Sequence, residues 1–221
     1  MKKIIWVFGE SATGKLTLIN NLYKGDVETI NSFNYQNLQI SICEITLEDK
    51  NHDKYNNIID SNQYDDSLIE EDNLYFKKEK GLLRRKGIMY DVETFLNNDS
   101  DILLIKGQIN DLNPRRGKIV EHFLEKYGNR EDLEIEVYIL QVTDKKELME
   151  RLQTKKWFRE MKDEQEKERL LNKIPLKKGE HKEEVIRGFN NFNIPIYIIE
   201  SSNNTYRIEE IINGKSSSIR R

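Results

Sequence analysis

The stretch FGESATGKLT, residues Phe8 to Thr17, constrains this chain more than any other. It follows the apolar run KIIWVFG and opens a segment, KLTLINNLY, with Leu16, Ile19 and Leu22 or Tyr23 on one side at helical period. The pattern G-x-x-x-x-G-K-[ST] is met at Gly9, Gly14 and Lys15. Backbone N–H groups in such a loop wrap a phosphate, and the following helix N-terminus adds a favourable dipole. A buried strand, a glycine loop and a helix in that order demand an α/β architecture. The nucleotide-binding residues expected from the motif are Gly9, Glu10, Ser11, Ala12, Thr13, Gly14, Lys15, Leu16 and Thr17.

One position departs from the pattern. Leu16 stands where a hydroxyl usually coordinates Mg²⁺. Thr17 lies about 100° further round the helix, so it does not replace that ligand and is assigned to the α-phosphate. Ser11 and Thr13 add loop hydroxyls, and Lys15 reaches the β- and γ-phosphates as a mobile cation. Magnesium accepts water ligands, so a weakened site held by phosphates and one or two carboxylates is expected.

The strand that should carry a partner acid is DILLIKGQIND, where Lys106 and Gly107 occupy the expected place. Asp101 is at the wrong end of that strand and reads as a cap. Asp111, Glu44 and Asp60 are the alternative acids, and Gln108 is a candidate for orienting a water or a substrate hydroxyl. His52, His122 and His181 share no ligand spacing, so no structural metal is read.

Along the chain, NLQISICEITL, DILLIKG, LEIEVYILQV and IPIYIIES read as further strands. LYFKKEKGLLRRKGIMYDVETFL reads as a basic helix interrupted by Gly81 and Gly87. PRRGKIVEHFLEKYG reads as a helix started by Pro114 and stopped by Gly128. A long charged helical region after Asp144 is expected to break near Trp157; EEVIRGFNNF and TYRIEEIIN read as helices. Strands separated by helices imply βαβ units, hence a three-layer α/β/α fold with a mostly parallel central sheet and a helical lid.

The net charge of −3 over 221 residues argues against indiscriminate coating of nucleic acid. A local basic surface is still offered by Lys77, Lys78, Arg84, Arg85 and Lys86, to be weighed against a solvated helix face. Lys155, Lys156 and Arg159 can close on a γ-phosphate, and Trp157 either stacks on a base or anchors its helix. Arg115 and Arg116 open the expected helix, where cations oppose the dipole and a bound anion would explain them. The single cysteine, Cys43, permits no intrachain disulfide. The apolar runs are too short to cross a bilayer, and no signal-peptide core is visible, so a soluble cytoplasmic protein is expected.

The order of loop, helix, variable insert, buried strand, charged helices and final strand resembles the P-loop kinases. Within that superfamily, YFKKEKGLLRRKGIMYDVETFL, NDLNPRRGKIVEHFLEKYG, IEVYIL and ELMERLQTKK resemble the kinase domain of 5′-polynucleotide kinases. The resemblance implies a single P-loop kinase-like domain over 1–214, with a substrate-side insert at 48–90, a charged helical lid at 144–182 and a flexible tail at 215–221. It implies catalytic roles for Lys15, for Asp111 as the acid contacting the acceptor, and for Arg151 or Arg159 as the lid arginine on the transferring phosphate. The nucleotide would be ATP or GTP with Mg²⁺, and the acceptor a nucleoside, a nucleotide or a nucleic-acid 5′-hydroxyl. Leu16 departs from that family's pattern, and the acid expected as general base after the second strand has no counterpart. A second reading is therefore a nucleotide-binding regulatory or assembly module with weak or no catalysis. A third is a nucleoside monophosphate kinase with its acceptor site between Glu48 and Arg85.

Overall fold

The computed structural model describes residues 1–47, 72–203 and 205–213, with the backbone alone at 72–80, 156–157 and 170–180. The expectations placed on 48–71, including His52 and Asp60, and on the tail 215–221 lie outside the described residues. So do those for the side chains of Lys77, Lys78, Lys156 and Trp157.

The strands are β1 (Lys2–Gly9), β2 (Ile40–Ile42), β3 (Ile102–Lys106), β4 (Leu133–Gln141), β5 (Ile196–Ser202) and β6 (Thr205–Ile212). The helices are α1 (Lys15–Lys24), α2 (Val27–Phe33), α3 (Asp72–Leu96), α4 (Ile119–Tyr127), α5 (Lys145–Gln153), α6 (Lys156–Arg159) and α7 (Glu164–Phe189). One six-stranded sheet runs in the order β2-β3-β1-β4-β5-β6. The pairs β2/β3 and β4/β5 are parallel and β5/β6 is antiparallel. This is the three-layer, mostly parallel α/β fold that the loop motif demands. No helix among the described residues is long and apolar enough to cross a membrane.

By contact density the chain forms two compact units: Met1–Trp6 with Asn37–Ile135, and Val7–Gln36 with Glu136–Arg221. The first unit is built on β2, β3 and α3. Its core includes Ile88, Val92, Phe95 and Ile102–Ile105, and Trp6 meets Phe123 edge to face at 5.3 Å.

Helix α3 is continuous, contrary to the expected interruptions at Gly81 and Gly87. The two glycines are points of close approach. A side-chain carbon at Gly81 would stand 2.1 Å from Arg116 O, and one at Gly87 would stand 2.6 Å from Ile45 Cγ1. The segment NLQISICEITL forms a strand only over Ile40–Ile42. Beyond it, Cys43 N donates to Leu104 O, and the chain then turns through a 3-10 segment at Glu44–Thr46. Asp91 fastens that turn by accepting from Ile45 N and Cys43 Sγ. The apolar Ile45 is thus buried against Gly87 and not across a strand pair.

Pro114 starts a 3-10 turn, Pro114–Arg116, and the helix itself begins only at Ile119. Gly117 at φ 99 and Lys118 at φ 49 separate the two. Arg115 and Arg116 therefore do not open a helix, which removes the dipole argument for an anion there.

The second unit holds β5 and β6, the carboxyl-terminal parts of β1 and β4, helices α1 and α2, and helices α5 to α7. The stretch TYRIEEIIN forms β6, not the expected helix. Ser202 pairs with Thr205 in a tight hairpin, and Asn203 takes the left-handed conformation at φ 47 that such a turn requires. Once β5 offers an edge, the ladder decides an eight-residue stretch whose isoleucines fit either period. Phe33, Tyr35, Tyr138 and Tyr206 pack as an aromatic group, with Phe33 and Tyr138 stacked at 5.3 Å. The Tyr138 hydroxyl, bonded to Tyr35, also donates to Glu136 at 3.1 Å.

Candidate phosphate-binding site

The loop between β1 and α1 belongs wholly to the second unit. Gly9 sits at φ 142, and a side-chain carbon there would lie 2.5 Å from Leu140 O and 2.7 Å from Thr13 Oγ1. Only glycine lets the chain leave the buried strand at this point. Ala12 is held at φ 66, a conformation that costs a non-glycine residue on the order of 1 kcal/mol. Its methyl packs against the buried group Val142, Leu148, Leu152 and Phe158, which offsets the strain and ties the loop to α5.

The loop closes on the Glu10 carbonyl. That oxygen accepts from Thr13 Oγ1 at 2.9 Å and from Lys15 Nζ at 2.7 Å, while Gly9 O accepts from Lys15 Nζ at 2.6 Å. The Lys15 ammonium thus lies over the loop's own backbone. The Glu10 carboxylate meets His181 Nδ1 of α7 at 2.9 Å. Helix α1 starts at Gly14 with no side-chain cap and no acidic residue in its first turn. Its dipole favours an anion at that end.

Arg151 comes to this loop from α5. A side-chain carbon on Gly14 would lie 3.4 Å from one Arg151 guanidinium nitrogen and 3.3 Å from Ser201 Oγ. The guanidinium donates to Ser201 Oγ at 3.2 Å, to Ser201 O at 3.3 Å and to Glu147 at 2.5 Å. The cation is held by its own helix α5 and by β5, beside the residue that caps α1. Of the expected site residues, the structure brings together the loop, Lys15 and Arg151.

The others are placed differently. Leu16 and Thr17 are exposed on the first turn of α1. Arg159 is exposed on α6 and lines an open groove of about 510 Å³ with Gln153, Phe158, Glu164, Lys167 and Glu168. Asp111 belongs to the first unit, where it is 1% exposed. Arg84 donates to both its oxygens, at 2.7 and 2.8 Å, and Gln108 N donates to Oδ2 at 2.8 Å. A carboxylate so engaged anchors the turn after β3. Arg85 of α3 donates to Gly117 O at 2.9 Å. Asp101 caps the turn before β3 by accepting from Gln39 N at 2.8 Å.

Leu16 offers a magnesium ion no donor atom, and no cluster of three His, Cys, Asp or Glu suited to a metal exists among the described residues.

Sequence reasoning missed Glu147, Ser201, Ser202 and Asn203. Glu147 could have been paired with Arg151 by its four-residue helical spacing. The two serines and the asparagine carried no signal until β5 and β6 were known to form a hairpin.

No protein-family model and no curated protein matches the chain. Among solved structures it is similar to TT1252 from Thermus thermophilus, with 9% identity over 91% of this chain and 90% of that one, at a TM-score of 0.43. It is also similar to a thymidylate kinase from Ehrlichia chaffeensis, with 14% identity over 95% of this chain and 92% of that one, at a TM-score of 0.38. At these values neither likeness assigns an activity to this chain.

Proposed function

We propose that this chain binds a nucleoside triphosphate, ATP or GTP, through Gly9–Thr17, and transfers its terminal phosphoryl group to a nucleoside, a nucleotide or a nucleic-acid 5′-hydroxyl. The observation that carries the reading is the Arg151 guanidinium set beside Gly14, at an uncapped helix start fed by a glycine loop. A fixed guanidinium, a mobile ammonium and a helix N-terminus near one point suit a phosphate chain.

In this reading the loop amides and the α1 dipole hold the donor phosphates. Lys15 leaves the Gly9 and Glu10 carbonyls to contact them, and Arg151 neutralises charge that develops during transfer. Phosphoryl transfer asks mainly for positioning and charge neutralisation. Arg159 joins from α6 if the charged helices close as a lid. Asp111, the acid proposed to contact the acceptor, is held by Arg84 at the turn after β3. Arg85 and its basic neighbours on α3 supply cations for an acceptor that itself carries phosphate.

A nucleotide-binding regulatory or assembly module with weak or no catalysis is favoured by one specific observation: Leu16 brings no hydroxyl to the start of α1. Incubating the protein with labelled ATP against nucleosides, nucleotides and 5′-hydroxyl oligonucleotides separates the readings. Label transfer that Lys15→Ala abolishes supports the kinase. Lys15-dependent ATP binding without transfer to any acceptor overturns it and leaves the binding module.

A further inference from the structure

We infer that Glu147 is a positioning residue that sets the phosphate-side arginine, a role that rests on the nucleotide reading above. One Glu147 oxygen takes the Arg151 guanidinium at 2.5 Å and the Asn203 backbone N–H at 2.8 Å. The other accepts from the Ser202 hydroxyl at 2.9 Å. The carboxylate therefore joins α5 to the β5–β6 hairpin turn, and its side chain is only 14% exposed.

The geometry separates Glu147 from an ordinary helical ion pair. An exposed pair at four-residue spacing leaves the arginine free to swing among many rotamers, and contributes little. Here the arginine is gripped on one side by Glu147 and on the other by both the hydroxyl and the carbonyl of Ser201. The hairpin that presents Ser201 is itself fixed to Glu147 through Ser202 and Asn203. One acid thus controls both the cation and the backbone against which the cation rests. Preorganisation of this kind places the guanidinium at Gly14 before any ligand arrives, so less side-chain ordering opposes binding.

Glu147 makes none of its three contacts to the loop, so its effect on a bound phosphate must pass through Arg151. That dependence gives a readout that a merely structural residue would not produce. ATP affinity is measured by calorimetric titration for wild type, Glu147→Gln, Arg151→Ala and the double variant, with thermal unfolding of each as the folding control. Glu147→Gln keeps the side-chain size and should bind ATP about tenfold more weakly, and adding it to Arg151→Ala should change affinity by no more than about twofold. Equal ATP affinity for wild type and Glu147→Gln overturns the positioning role while Lys15-dependent binding stands. So does a double variant in which the two losses multiply in full. Absence of ATP binding by wild type overturns the nucleotide reading and the positioning role with it.

Discussion

Gly14 and Arg151 are close neighbours: a methyl on Gly14 would touch the guanidinium at 3.4 Å, an ordinary contact, and Ser201 Oγ at a slightly tight 3.3 Å. The backbone at Gly14 also sits at φ 90, outside the range that L-residues adopt readily. Gly14→Ala should lower stability by about 1–3 kcal/mol through backbone strain. It should leave Arg151 in place at the start of α1, since the added carbon only touches the guanidinium. Urea unfolding reads the first effect, and ATP titration of the folded variant reads the second.

Breaking the buried pair between Arg84 and Asp111 should be costly, because their side chains are 10% and 1% exposed. Asp111→Ala removes the carboxylate that takes two of the buried guanidinium's N–H groups, so a loss of about 3–5 kcal/mol is expected in urea unfolding. The paired replacement Arg84→Met with Asp111→Leu should recover most of that loss. If Asp111→Ala keeps wild-type stability but loses label transfer, Asp111 works directly on the acceptor and not as an anchor.

Gly81 gives a prediction against helix propensity. In an exposed helix interior, alanine in place of glycine stabilises by about 1 kcal/mol. Here the added carbon would fall 2.1 Å from Arg116 O, so Gly81→Ala should destabilise by about 1–3 kcal/mol. A raised melting temperature would contradict the close approach of α3 to the Pro114–Arg116 turn.

These positions mark what a linear reading reaches. The tight loop from Gly9 to Lys15 between β1 and α1 was legible because its glycines stand at fixed spacing between an apolar run and a helical one. The mostly parallel sheet was legible because its strands are short apolar runs separated by amphipathic ones. Gly81 and Gly87 misled because a helix breaker and a close-packing site share one letter, and only Arg116 and Ile45 tell them apart. TYRIEEIIN misled because its isoleucines satisfy two periods, and its partner strand decides between them. The grip on Arg151 was not legible at all, since Glu147, Ser201 and Asn203 meet only once α5 and the hairpin are in place.

Acid should reveal the Glu147 grip directly. Burial opposes ionisation of Glu147, but the Asn203 amide, the Ser202 hydroxyl and the Arg151 guanidinium outweigh it and hold the carboxyl below its ordinary 4.5. A depressed folded-state value means that the unfolded chain binds the proton first. The stabilisation is therefore complete above the unfolded value and is lost as pH falls through the folded one. Wild type should lose stability more steeply than Glu147→Gln below pH 4.5, in chemical unfolding followed across that range. Parallel curves would remove the charge from the grip.

The most direct measurement is calorimetric titration of ATP and GTP into wild type and Lys15→Ala, with thermal unfolding confirming that both are folded. A saturable wild-type isotherm is expected for at least one nucleotide, weakened about tenfold or more in Lys15→Ala by loss of a charge-assisted phosphate contact. Equal affinity in the two proteins, or no binding of either nucleotide to wild type, would contradict a phosphate site at Gly9–Thr17.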